Sequence, residues 1–164
     1  MPEPNPDHLK AVLNAINKGP FFENMSIRIM EIGVGYSVVA MAIGRQHMNP
    51  FGGLHGGAYA SAIDTAAYWS AYCHLPEESG LVSIDLKVDF LAPIYHGKVI
   101  INGQTIKAGK TIYLALADLL AVNFRQVRGT VGALGMGSVS FNAAGFQLCH
   151  NQYLNVLFGW PSVI

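Results

Sequence analysis

One short stretch gathers the residue types that chemistry needs. The segment NPFGGLHGGAYASAID, from Asn49 to Asp64, carries a side-chain amide, a histidine, paired glycines and a carboxylate. Gly56 and Gly57 stand where a loop becomes an alanine-rich helix. A helix start offers unpaired N–H groups and the positive end of the helix dipole. Glycine there lets a ligand approach the backbone closely, so the place suits an anion or a carbonyl oxygen gaining charge. Asp64 lies two turns further on, among alanine, isoleucine and aromatic residues. A carboxylate in that setting is a candidate general base or nucleophile. Each residue also has a plainer reading. Asp64 can satisfy a neighbouring hydrogen-bond donor, His55 can be structural, and the glycines can serve packing alone.

Spacing restricts the chemical reading. At the helical rise per residue, Gly56 and Asp64 are about 12 Å apart along one helix. Reacting groups must come within about 3 Å of their target. If both act on one carbon, they belong to different subunits. A two-fold dimer with antiparallel helices side by side brings Gly56 of one protomer to Asp64 of the other and builds two equivalent sites.

The elements around this segment follow from periodicity. Asn5-Pro6-Asp7 marks a helix start, with Asn5 as N-cap, and Leu9, Val12, Leu13 and Ile16 recur at helical spacing until Gly19-Pro20. Met25 to Ile32 alternates as a strand, with Ile27 and Ile29 on one face and Glu31 next in the alternation. Gly33-Val34-Gly35 turns into a second strand over Tyr36 to Ile43. Gly57 to Cys73 reads as a central, mostly buried helix whose small residues let a sheet wrap closely. Leu81 to Leu91 alternates, with Val82, Ile84, Leu86, Val88 and Phe90 on one face and Ser83, Asp85, Lys87 and Asp89 on the other. Lys98 to Lys107, Thr111 to Val122 and Thr130 to Phe141 complete a meander, with turns at Ala108-Gly109 and near Arg128-Gly129. The expected class is α+β, an antiparallel sheet curled round one long helix. Residues 1–141 form one domain, with a helical segment in 1–20, and 142–164 are an apolar extension of unassigned role.

Composition sets limits. The chain has 164 residues, 51% hydrophobic and only 12% charged, with ten Lys plus Arg against ten Asp plus Glu. So little charge suggests that part of the apolar excess lies in a subunit interface. No charge imbalance points to nucleic acid or to an anionic membrane. Cys73 and Cys149 are the only cysteines and make no CxxC pair, which argues against a disulfide framework or zinc knuckle. No signal pattern opens the chain and no apolar run is long enough to span a bilayer, so a cytoplasmic protein is expected.

Several motifs fail on context. GQTIKAGKT, Gly103 to Thr111, has one residue too many for a phosphate-binding P-loop and sits between two strands. Gly132, Gly135 and Gly137 lie in a strand-like run, unlike a dinucleotide fingerprint. Cys73-His74 reads as a helix end. Tyr68, Trp69 and Tyr72 read as core or interface.

Taken together, Asn49-x2-Gly52-x2-His55-Gly56-Gly57-x6-Asp64 resembles the hotdog-fold thioesterases of the PaaI type, including the THEM2-like acyl-CoA thioesterases. Ser83 within VSIDLKVDFLAP, then Gly97 and Gly109-Lys110-Thr111, extend the likeness, which covers roughly residues 20 to 141. The resemblance implies a hotdog fold and hydrolysis of an acyl-CoA to a free acid and coenzyme A. It implies that Asp64 activates water or attacks the carbonyl, and that the Gly56 N–H of the opposite subunit polarises it. Asn49 would position water or substrate, His55 would orient Asn49 or the loop, and Ser83 would support Asp64. Gly57 would join the substrate-binding backbone. Lys107 and Lys110 would meet the coenzyme A phosphates, or remain solvated turn lysines. No metal and no separate cofactor is implied, and the expected assembly is a homodimer or a dimer of dimers. Two rivals share the fold: an enoyl-CoA hydratase or dehydratase built on His55 and Asp64, and a noncatalytic acyl-CoA-binding module.

Overall fold

The computed structural model describes residues 4–77 and 79–121, and the backbone of 127–142 and 145–148. Helix α1, Pro6–Ile16, starts as its sequence dictates: Asn5 Oδ1 accepts from the Asp7 N–H at 3.1 Å and Pro6 occupies the first turn. Val12 is buried, while Leu9, Leu13 and Ile16 pack against the core. Pro20 ends nothing; it opens a second short helix, α2, Pro20–Asn24.

Strands β1, Ile27–Gly33, and β2, Tyr36–Ala42, form a hairpin whose turn uses Gly35 at φ +82°. A bulge between Ile29 and Glu31 breaks the simple alternation. It turns Glu31 outward and brings Ile32 in with Ile27 and Ile29. Asn17, at the end of α1, donates to Ile29 O and accepts from Ile29 N, so its amide takes the place of a neighbouring strand at this sheet edge.

A 3₁₀ turn, Arg45–His47, and a tight loop lead into α3, Gly56–Tyr72. Then come β3, Ser79–Asp89, β4, Lys98–Ala108, β5, Ile112–Ala121, β6, Val127–Asn142, and β7, Gly145–Leu148. All pairings are antiparallel, in the order β1-β2-β4-β5-β6-β3, with β7 on β6. Arg128 and Gly129, expected in a turn, are already within β6, opposite Asp89 and Val88. Asn142, where the expected extension begins, is the last residue of β6, and Gly145–Leu148 adds a strand; residues 143–144 and 149–164 lie outside the described residues. GQTIKAGKT is a β4–β5 hairpin, closed by Gly109 N–H donating to Ile112 O.

The sheet wraps α3, whose Ala62, Ile63, Ala66, Ala67 and Ala71 are fully buried against Val39, Met41, Ile101 and Leu119. Closest approach falls at Gly103, the cross-strand partner of Ser37. A Cβ at Gly103 would collide with the Ala66 carbonyl oxygen, which also accepts from Ser37 Oγ at 2.6 Å. The small residues of α3 thus let strand and helix backbones meet. Among the described residues no helix is long and apolar enough to cross a membrane.

Candidate functional site

One stripe of α3 escapes the sheet. Gly57, Ala60, Ser61, Asp64 and Tyr68 keep solvent exposure, while the positions between them are buried. Their spacing is that of one helix face. Asp64 is therefore not enclosed within its protomer; it stands midway along an open face of small residues.

Ser83 reaches Asp64 from β3, its Oγ donating to Asp64 Oδ1 at 2.7 Å. Plain alternation does not explain this strand. β3 loses register against β6 between Ser83 and Asp85 and again between Asp85 and Lys87. Before the irregularity Leu81 is buried and Ser83 faces the helix. After it, Leu86 and Val88 pack on the core. The facing side switches from odd to even residues, which leaves Val82 and Ile84 exposed; Phe90, exposed as well, lies just past the strand's end at Asp89. Tyr68, one turn beyond Asp64, accepts from the Leu81 N–H at 3.2 Å. Burial pushes its phenol up, the Leu81 N–H lowers it, and the nearby Asp64 charge raises it further, so it stays protonated.

The N-terminus of α3 is capped by its own histidine. His55 has extended backbone, and its Nδ1 accepts from the Gly57 N–H at 2.9 Å. Ala58 and Tyr59 N–H donate to His55 O. The Gly57 donor is thus occupied, whereas the Gly56 N–H has no hydrogen-bond partner among the described residues. With Nδ1 as acceptor, the imidazole carries its proton on Nε2.

The preceding loop is held by short bonds. Asn49 Oδ1 accepts from Phe51 N and Gly53 N at 2.9 and 3.1 Å, and Asn49 N donates to Gly53 O at 2.8 Å. The side-chain oxygen of Asn49 is therefore engaged within its own loop. His55 bonds the helix rather than Asn49. The buried His47 joins the two ends of the loop: its Nδ1 accepts from Gly44 N and its carbonyl from His55 N. Nothing in the sequence marks His47, a polar residue between Gln46 and Met48, as the bridge of this loop.

Beside Gly56 lies a cavity of about 300 Å³, lined by Leu54, Gly56, Tyr59 and the run Phe90 to Pro93. None of these residues except Gly56 was singled out from the sequence, because apolar side chains at a strand end carry no chemical signature. Lys107 and Lys110 are exposed at the β4–β5 hairpin and bond to none of Asn49, His55, Asp64 or Ser83.

A single antiparallel sheet curled round one helix is the hotdog architecture. Comparison with known proteins agrees. Residues 51–121 match the thioesterase superfamily model. A putative esterase of Saccharolobus solfataricus is 27% identical over 80% of this chain and 91% of its own length. Human acyl-coenzyme A thioesterase 13 is 28% identical over 68% of this chain and 81% of its own. Among solved structures, a thioesterase family protein of Silicibacter pomeroyi superposes with a TM-score of 0.72 at 22% identity, over 79% of this chain and 97% of that one. The E. coli PaaI protein from the phenylacetic acid degradation operon gives 0.69 at 20% identity, over 78% and 91%. The chain has the hotdog fold, as the PaaI-type resemblance of the Asn49–Asp64 motif implies, and over residues 51–121 it is similar to the thioesterase superfamily.

Proposed function

We propose that the protein hydrolyses an acyl-CoA to a free carboxylic acid and coenzyme A, at a site shared between two protomers. The observation that carries this reading is the division of the machinery along α3. An accessible carboxylate, steered by Ser83, sits mid-helix, and an unpaired amide sits at the helix start, about 12 Å away along one helix. Neither reaches the other's target within one chain.

A dimer resolves the separation. β3 ends the sheet and shows exposed Val82 and Ile84, the latter 63% exposed. An unprotected apolar edge strand invites pairing with a second copy. The open stripe of α3 beside it allows two helices to lie close and antiparallel. In that arrangement the Gly56 N–H of one protomer holds the thioester oxygen. Asp64 of the partner takes a proton from water, or attacks the carbon directly. Charge developing on the oxygen faces the positive helix end, a preorganised donor of the kind worth about 10²–10³ in rate. Asn49 contributes Nδ2 to substrate or water, and His55 fixes the helix start. Lys107 and Lys110 are candidates for the coenzyme A phosphates.

The hydratase reading needs His55 and Asp64 as a working pair. His55 instead accepts from Gly57 at the opposite end of the open stripe, which favours hydrolysis. The test is a panel of acyl-CoAs with free-thiol detection, for the wild type and Asp64→Asn. Thiol release that falls by about 10³ or more in Asp64→Asn, with acyl-CoA binding retained, supports the reading. Binding without thiol release from any substrate would leave a binding module, and hydrated enoyl product a hydratase.

A further inference from the structure

We propose that the cavity beside Gly56 seats the hydrocarbon end of the acyl group, and that Phe90 sets how long that group can be. The inference rests on the thioesterase reading for its substrate and deepens it by naming the acyl class.

Three observations converge on one place. The Phe90 ring reaches the helix start: a Cβ built on Gly56 would lie 3.5 Å from its Cζ and 3.7 Å from its Cε1. The same ring meets Tyr59 edge to face, with centroids 5.6 Å apart. Tyr59 is 3% exposed and is fixed by its hydroxyl, which donates to Ala92 O at 3.1 Å. The wall of the cavity therefore begins at the unpaired Gly56 N–H, runs along Phe90 and ends on an immobilised tyrosine. A carbonyl oxygen held by the Gly56 N–H would bring its carbon, and so the start of the acyl group, beside this wall.

The lining decides which arm of the thioester lies along it. Leu54, Leu91, Ala92 and Pro93 supply only hydrocarbon side chains, the Tyr59 hydroxyl already has its partner, and the remaining polar lining is fixed backbone. The pantetheine arm carries two amides that need hydrogen-bond partners on leaving water. An alkyl or aryl acyl group needs none. The cavity thus accepts the acyl side and disfavours acyl groups bearing a second carboxylate. Its volume of about 300 Å³ corresponds to roughly ten water-sized volumes, enough for a medium-length chain or an aryl group.

Phe90 is the adjustable part of the wall. It is 56% exposed and outside the buried core, so it can be changed without unfolding the protein. The experiment measures kcat/KM across straight-chain acyl-CoAs of increasing length for the wild type, Phe90→Ala and Phe90→Trp. In parallel it measures Kd for the corresponding S-alkyl-CoA thioethers, which cannot be hydrolysed. Phe90→Ala is expected to raise the long-over-short ratio of kcat/KM about tenfold, and Phe90→Trp to lower it, with the thioether Kd values moving the same way. Thioesters cleaved by all three proteins with superimposable length profiles would overturn this inference and leave the hydrolase standing. Thioether affinities that follow residue 90 in a protein that cleaves no thioester would uphold the cavity and remove the hydrolase reading instead.

Discussion

Ser83 Oγ donates to Asp64 Oδ1 across 2.7 Å, from a strand whose register breaks immediately afterwards. The break matters because side chains alternate strictly along an undisturbed strand. Leu86 and Val88 need to face the core, and in regular alternation that would turn Ser83 away from the helix. The irregularity lets one strand satisfy both demands, as bulges beside functional sites often do. Ser83→Ala should lower kcat by on the order of tenfold, the loss of about one hydrogen bond to an ionised group at an exposed site. Binding of a nonhydrolysable acyl-CoA analogue and thermal stability should change little. Equal losses in binding and turnover would make Ser83 a folding residue only.

Gly56 permits an unusually clean deletion of one N–H. It is the first residue of α3, and His55 before it has φ −67° and ψ 140°. Proline is well tolerated at the first helical position, and its predecessor prefers that extended conformation. A Cβ there makes only ordinary contact with Phe90. Gly56→Pro should therefore keep its helix and melting temperature while losing about 10²–10³ in kcat. Gly56→Ala, which retains the N–H, should remain active. Steady-state thiol release and circular dichroism check both.

Close packing of helix and sheet predicts a sharper structural effect elsewhere. Gly103→Ala forces a methyl group into the Ala66 carbonyl oxygen and Ser37 Oγ. Overpacking of this kind costs typically about 1–3 kcal/mol, and here the obstacle is partly backbone. Urea denaturation should show a lower midpoint with an unchanged slope.

His74 introduces a pH dependence of stability. Both its ring nitrogens are buried without a hydrogen-bond partner among the described residues, and its ring lies 6.3 Å from that of Tyr113. Burial holds its pKa below the ordinary histidine value. The unfolded chain therefore binds the proton more readily than the folded one, and unfolding free energy rises with pH wherever that is so. The contribution of this group is complete above the unfolded value of about 6.5 and is lost as pH falls through the lower, folded value. Melting temperatures compared at pH 7.5 and 5.5 should fall on acidification, and the fall should shrink in His74→Phe.

Much of this was legible beforehand, for identifiable reasons. Asn5-Pro6 signals a helix start through local hydrogen bonding, and the structure has that cap. The alanine-rich run from Gly57 reads as a wrapped helix because only small side chains allow such approach, and Gly103 against Ala66 is where it happens. What escaped depends on pairing between distant segments. The bulges in β1 and β3 come from reconciling two neighbours, so alternation set Glu31 next in line with Ile27 and Ile29 and gave Val82 and Ile84 the same face as Leu86 and Val88. The occupied Gly57 donor depends on a side-chain rotamer of His55. The cavity wall from Leu54, Tyr59 and Phe90 arises from three elements whose apolar residues look like any others.

In the proposed dimer each reaction centre draws its amide from one protomer and its carboxylate from the other. Subunit mixing tests it most directly. Gly56→Pro and Asp64→Asn, each nearly inactive alone, are unfolded together, refolded at equal amounts and assayed for thiol release. Random pairing makes half the dimers mixed, and each mixed dimer has one of its two sites intact, so about a quarter of wild-type activity should return. Activity that stays at the sum of the two parents, although mixed dimers are present, would contradict the account.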